Sequence, residues 1–177
     1  MSPPGWRLGA SARFFADGKL VAYAAREPDR RSRIYVQALD GSAPRAITQE
    51  LDILFPMSVA ISPDQRWVAF PHTAAAGGSL APVDGGATLP VKGLTPGEQI
   101  RDWSADGQLY VASGPPSALR IDTLNPFTGS RLSWRELRIP PIVGLRTAPP
   151  FITPDGRTYA YNYSVSSSNL FTLSGVR

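Results

Sequence analysis

Apolar residues come in short runs along this chain, and each run is broken after a few positions by Gly, Pro, Asp or Ser. Leu20–Ala25, Ile34–Val36, Val68–Phe70 and Leu109–Ala112 are the clearest runs. Nowhere do apolar positions recur at the three-and-four spacing of an amphipathic helix over a useful length. The pattern predicts many short β-strands joined by tight turns, and no helix.

The turns have a signature. Asp-Gly occurs at 17–18, 40–41, 84–85, 106–107 and 155–156, so half of the ten Asp precede Gly. Asp-Gly fits a two-residue hairpin turn in which both central residues take positive φ. Four segments share a longer phrase: FFADGKLVAYAA (14–25), AISPDQRWVAF (60–70), DWSADGQLYVAS (102–113) and FITPDGRTYAYNY (151–163). Their aspartates, Asp17, Asp64, Asp106 and Asp155, are 47, 42 and 49 residues apart. Gln65 replaces Gly in the second copy, which predicts a looser turn there. Ala22, Ala69 and Ala160 each precede an aromatic residue. A small residue beside a large one suits strands stacked between neighbouring sheets.

Each phrase has a second half built on another turn: 33–48, 79–91, 118–134 and 169–177. Every unit therefore reads as four short antiparallel strands, with the last strand of the fourth unit missing. Four strands in a period of roughly 40–50 residues is the mark of a β-propeller blade. The expected fold is all-β: one propeller domain over 1–177, with four-stranded blades at about 11–48, 57–95, 99–137 and 148–177. Residues 1–10 are left over as a strand or linker. Two endings stay open. Trp6–Leu8 pairs with 169–173 and closes a small ring, or the chain is a partial, C-terminal portion of a larger propeller. An open arc exposes strand edges and favours self-association.

The phrase resembles the TolB-type, WD40-like propeller repeat. The matching residues are Ser62-Pro63-Asp64, Ile34-Tyr35-Val36, Leu39-Asp40-Gly41 and Arg45-Ala46-Ile47-Thr48. The C-terminal segment is similar to the last blade of propeller domains linked to bacterial serine/threonine protein kinases. There Pro154-Asp155-Gly156, Tyr159-Ala160-Tyr161, Leu170-Phe171 and Gly175-Val176-Arg177 stand in the expected places. The resemblance implies a non-catalytic sensing or protein-interaction module, with a protein or peptide partner and an extracytoplasmic setting. The alternatives are a TolB-like periplasmic interaction protein and a propeller accessory domain of a peptidase or hydrolase. No kinase motif is present: glycine-rich loop, HRD and DFG are all missing.

Composition narrows the chemistry. Gly and Pro are 34 of the 177 residues, roughly 19% against an average near 12%. The absence of Cys removes disulfides, thiolate metal sites and a thiol nucleophile. His72 is the only histidine, there are four Glu, and no Gly-x-Ser-x-Gly elbow occurs. No calcium loop or phosphate-binding Gly-rich loop is present. No enzyme activity, cofactor or metal is expected. The net charge is +4 with a pI of about 9.8, but the arginines are scattered and make no phosphate track, so no nucleic-acid partner is expected. No apolar run approaches the length of a membrane span, and MSPPGWRLGA lacks the basic start and apolar core of a signal peptide.

Alternate turns of an up-and-down blade lie on opposite faces. The Asp-Gly turns trim one face, and the longer connections lie on the other. That longer-loop face carries Arg26, Arg30, Arg31, Arg33, His72, Arg138 and Arg146. Binding residues concentrate on loops held by a rigid scaffold, so these seven are the expected interaction residues. The four tryptophans are expected to pack blades.

Overall fold

The computed structural model describes residues 5–51, 59–72, 77–115, 118–138, 145–147, 150–161 and 163–165. No helix occurs among them. The first sheet contains β1 (Arg7–Phe14), β2 (Leu20–Arg26), β3 (Ser32–Ala38) and β4 (Arg45–Ala46). The second contains β5 (Ala60–Ile61), β6 (Trp67–Pro71), β7 (Gly78–Pro82) and β8 (Leu89–Pro90). The third contains β9 (Gln99–Trp103), β10 (Leu109–Ser113), β11 (Ala118–Leu124) and β12 (Arg131–Arg138). All three are antiparallel with neighbours in chain order, as blades require. Further on, β14 (Phe151–Ile152) pairs with β15 (Tyr159–Ala160), and β13 (Leu145–Thr147) with β16 (Tyr163–Val165). The expected strand at 169–177, and with it the ring closure at 169–173, lies outside the described residues. Arg7 and Leu8 pair with Arg26 and Ala25, so this stretch of the leftover segment belongs to the first sheet.

The Asp-Gly phrase closes its hairpins differently from the two-residue turn expected. Only the fourth residue of each turn is left-handed: Gly18, Gly107 and Gly156 have φ of 67°, 80° and 67°, whereas their aspartates are not at positive φ. Each of these glycines donates its N–H to the carbonyl three residues back, on Phe15, Ser104 and Thr153. The side chains explain the rest of the phrase. Ser62 Oγ donates to Asp64 Oδ1 at 2.5 Å and accepts from the Trp67 N–H at 2.9 Å. Ser104 with Asp106, and Thr153 with Asp155, repeat this clamp. In the first copy Phe15 takes the serine position, so Asp17 keeps only the Lys19 N–H.

Gln65 does not loosen its turn. It takes φ of 59° and its N–H reaches the Ser62 carbonyl at 2.8 Å, as the glycines do. A non-glycine residue there is strained, so Gln65→Gly is expected to stabilise the chain by about 1 kcal/mol in urea unfolding.

Small and large residues from facing sheets fill three apolar layers. Phe15, Ala22, Ala24, Ile34 and Val36 of the first blade meet Val68, Phe70 and Ala81 of the second. Ala69, Leu80 and Val91 of the second meet Ile100, Trp103, Leu109 and Leu124 of the third. Tyr110, Ala112, Ile121 and Leu137 of the third meet Ile152 and Tyr159. Cross-strand partners share a face, so Phe14, opposite Val21, lies on the side of the first sheet away from the second. Phe14 is 67% exposed there, and Phe151, on the far side of β14, is 63% exposed. Trp6 covers part of that first outer face, 4.8 Å from the ring of Tyr35. The first strands of the blades converge, and Arg13 of β1 reaches Asp102 of β9 at 3.6 Å.

Candidate functional site

On the longer-loop face, the β2–β3 connection brings Arg26, Arg30, Arg31 and Arg33 together. Their charge is largely answered within the chain. Arg30 lies 3.7 Å from Glu27 and 3.5 Å from Glu50, and Arg33 bridges the same two carboxylates at 3.7 and 3.5 Å. Glu27 also accepts from the Tyr35 hydroxyl at 2.6 Å. Burial first, and then this carboxylate, push that hydroxyl well above the usual tyrosine range, so Tyr35 remains the donor. Arg26 Nε donates to the Arg30 carbonyl at 2.9 Å and fixes the loop's shape. Arg31 is exposed and makes no ion pair among the described residues. Half-exposed pairs at these distances contribute at most about 1 kcal/mol each.

The other expected residues are dispersed. His72, at the β6–β7 connection, shares a hydrogen bond of 2.8 Å between Nε2 and Ser79 Oγ, and its ring packs beside Phe70. Arg138 at the end of β12 forms a bidentate, exposed pair with Glu136 at 2.9 and 3.2 Å. Arg146 lies in β13, its backbone paired with Ser164.

The opposite, short-turn face holds a feature the sequence reading missed. A cleft of about 310 Å³ opens between the second and third blades, lined by Ser62, Pro63, Asp64, Trp67, Trp103, Ala105, Asp106, Gly107 and Phe127. Its floor is Trp103, which is buried and donates its indole N–H to the Ala60 carbonyl across the blade boundary at 3.1 Å. Trp67 and Phe127 form the aromatic wall, edge to face with centroids 5.6 Å apart. The two Asp turns supply the rim. Slight burial opposes ionisation of Asp64, but the Ser62 hydroxyl and the Arg66 N–H outweigh it and hold the carboxyl below its usual range. The Ser104 hydroxyl does the same for Asp106. Both are anions at neutral pH.

The wall is braced. Asn125 Oδ1 accepts the N–H groups of Phe127 and Thr128, both at 3.0 Å, and so shapes the β11–β12 turn. That turn presses on Gly93, where a Cβ would stand 2.9 Å from the Gly129 carbonyl oxygen. Arg131, leaving the turn, binds Glu98 Oε2 at 2.8 Å, Asp122 Oδ2 at 3.0 Å and the Gly93 carbonyl at 2.8 Å. The sequence signals were Trp67, three residues after Asp64, and an aromatic at the tip of Asn-Pro-Phe-Thr-Gly; both read equally well as packing. Among the described residues, no three His, Asp or Glu side chains converge as a metal site. None of them forms a helix long and apolar enough to cross a membrane.

No protein-family model matches the chain, and no curated protein is similar to it in sequence. Solved structures are similar in fold. TolB from Acinetobacter baumannii superposes with a TM-score of 0.62 at 19% identity, over 90% of this chain and 38% of that one. A TolB-like protein from Agrobacterium tumefaciens gives 0.58 at 21% identity, over 89% of this chain and 55% of its own. A luciferin-regenerating enzyme gives 0.54 at 13% identity, over 77% and 47%. The chain thus spans about two fifths to just over half of the length of these structures. At such identities the likeness establishes the fold alone, an all-β, TolB-like arrangement of propeller blades.

Proposed function

We propose that this chain is a non-catalytic, protein-interacting or ligand-sensing propeller module, and that the cleft between its second and third blades is the recognition surface. The observation that carries this reading is an aromatic pair, a half-buried Trp67 and a more exposed Phe127, lining an open cleft beside two ionised aspartates on hairpin turns. Aromatic residues kept at a surface by braced turns are characteristic of contact sites rather than of packing. The polar groups that resemble catalytic ones have structural partners: His72 binds Ser79, and Asp64, Asp106 and Asp155 each hold a turn clamp.

A sensor joined to a bacterial serine/threonine kinase is the finer reading. Its support is the phrase Pro154-Asp155-Gly156 followed by Tyr159-Ala160-Tyr161; Leu170-Phe171 and Gly175–Arg177 lie outside the described residues. The TolB structures give equal support to a TolB-like interaction protein. A second surface, the longer-loop face, is favoured by Arg31, which is exposed and makes no ion pair among the described residues.

Photocrosslinking in the native host separates the two surfaces. A photoreactive residue at position 127 is expected to give an adduct of one defined mass, and the same residue at position 31 none. Adducts from position 31 alone would move recognition to the arginine loop. No adduct from either position would contradict the interaction reading.

A further inference from the structure

The cleft's chemistry specifies its ligand more closely than the word partner does. Resting on the interaction reading above, we infer that it takes a guanidinium group: the arginine side chain of a peptide or protein segment, laid along the Trp67–Phe127 wall with its charge toward Asp64 and Asp106.

Three observations converge on this. The wall is aromatic, with a half-buried Trp67 and a Phe127 that is 39% exposed, and the negative faces of such rings attract a cation. The rim is anionic. Asp64 uses Oδ1 for both the Ser62 hydroxyl and the Arg66 N–H, so among the described residues no partner occupies its Oδ2. Asp106 takes Ser104 on one oxygen and Gln108 Nε2, at 3.1 Å, on the other, and carboxylate oxygens have a further lone pair to offer. A planar, forked cation matches stacking and carboxylate pairing at once, which an ammonium does less well.

The third observation is that the chain already binds an arginine this way. At the next blade boundary the guanidinium carbon of Arg135 lies 5.1 Å from the Trp134 ring centroid and 5.2 Å from that of Tyr159. There the cation is supplied from within. At the cleft, the aromatic pair has two carboxylates beside it and, among the described residues, no arginine over the rings. Arg66, two residues after Asp64, is the nearest basic side chain in sequence; its charge helps to keep Asp64 ionised, and it makes no ion pair within 4 Å among the described residues. The cleft volume of about 310 Å³ suits one long side chain rather than a folded segment.

The test is a titration of the full chain with three blocked tripeptides, Gly-Arg-Gly, Gly-Lys-Gly and Gly-citrulline-Gly, followed by the indole N–H resonance of Trp67. Citrulline keeps the planar shape and removes the charge. The arginine peptide is expected to shift that resonance saturably and to bind about tenfold more tightly than the citrulline peptide, with lysine in between. Asp64→Asn and Asp106→Asn together are expected to remove that advantage. Phe127→Ala is expected to weaken arginine binding while the chain stays folded, with the dispersion of its remaining amide resonances unchanged. Equal binding of the citrulline and arginine peptides would overturn the inference, as would undiminished arginine binding in the double Asn variant or an absence of saturable shifts. If the guanidinium assignment fails in this way while a crosslink still forms from position 127, the interaction reading stands with a different ligand.

Discussion

Exchanging Arg131 for methionine is expected to destabilise the chain by about 3–5 kcal/mol at neutral pH. The Glu98 and Asp122 side chains are 8% and 3% exposed. Asp122 keeps its pair with Arg120 at 2.9 Å, but the exchange strands Glu98, whose one ion-pair partner among the described residues is Arg131. Methionine fills the stem's volume and leaves the Glu98 charge uncompensated. The effect has a definite pH dependence. Burial raises the pKa of Glu98, but the Arg131 hydrogen bonds and the Thr95 N–H outweigh it, and the carboxyl lies below its ordinary value of 4.5. A carboxyl depressed by folding stabilises above its unfolded pKa, and the stabilisation is lost as pH falls through the folded value. The native chain should therefore weaken below about pH 4.5. In the variant, protonation relieves the stranded charge, so the gap between the two should narrow on acidification. Urea unfolding at pH 7 and at pH 4 measures both. A gap that stayed constant with pH would mean that Arg131 acts through packing alone.

Truncating Phe70 to alanine is the second large effect. The ring is fully buried in the layer between the first two blades, against Val68, Ala24 and Ile34 among others. The loss of transfer energy and the cavity left behind together cost about 3–5 kcal/mol. Such a layer holds neighbouring blades and little else, since repeats touch only their neighbours. The midpoint of guanidinium unfolding should fall steeply, and near-ultraviolet signals from Trp103, in the next layer, should report the same transition if the blades unfold as one. A separate, earlier transition for the first blade would show that the layers are energetically independent.

The sequence read well wherever local chemistry decides structure. Repetition of the Asp-centred phrase placed the hairpins, and apolar runs such as Ile34–Val36 and Val68–Phe70 fell on strands that are buried on both sides. It read less well where geometry depends on a side chain two residues away. The serine or threonine before Pro-Asp or Ala-Asp clamps the turn, which is why Gln65 can replace glycine without opening it. Charge was the hardest feature to interpret. Arg30 and Arg33 are among the interaction residues expected from sequence, yet Glu50, seventeen residues after Arg33, folds back beside Glu27 and answers both. The cleft was hidden for a similar reason. Trp67 and Phe127 are 60 residues apart, and only the stacking of two blades makes them neighbours.

Hydrogen exchange of the tryptophan indole N–H groups tests the central claim most directly, because it reports the blade stack and the recognition cleft at once. Trp103 Nε1 is buried and bonded across a blade boundary to Ala60, so its exchange should require opening of the stack and be slow. The indole of Trp67, on the wall of the same cleft, should exchange rapidly in the free chain and slow when the arginine tripeptide is added. Rapid exchange at Trp103 would contradict the stacking of the second and third blades. A Trp67 indole protected in the free chain would contradict the open aromatic cleft on which the proposed recognition depends.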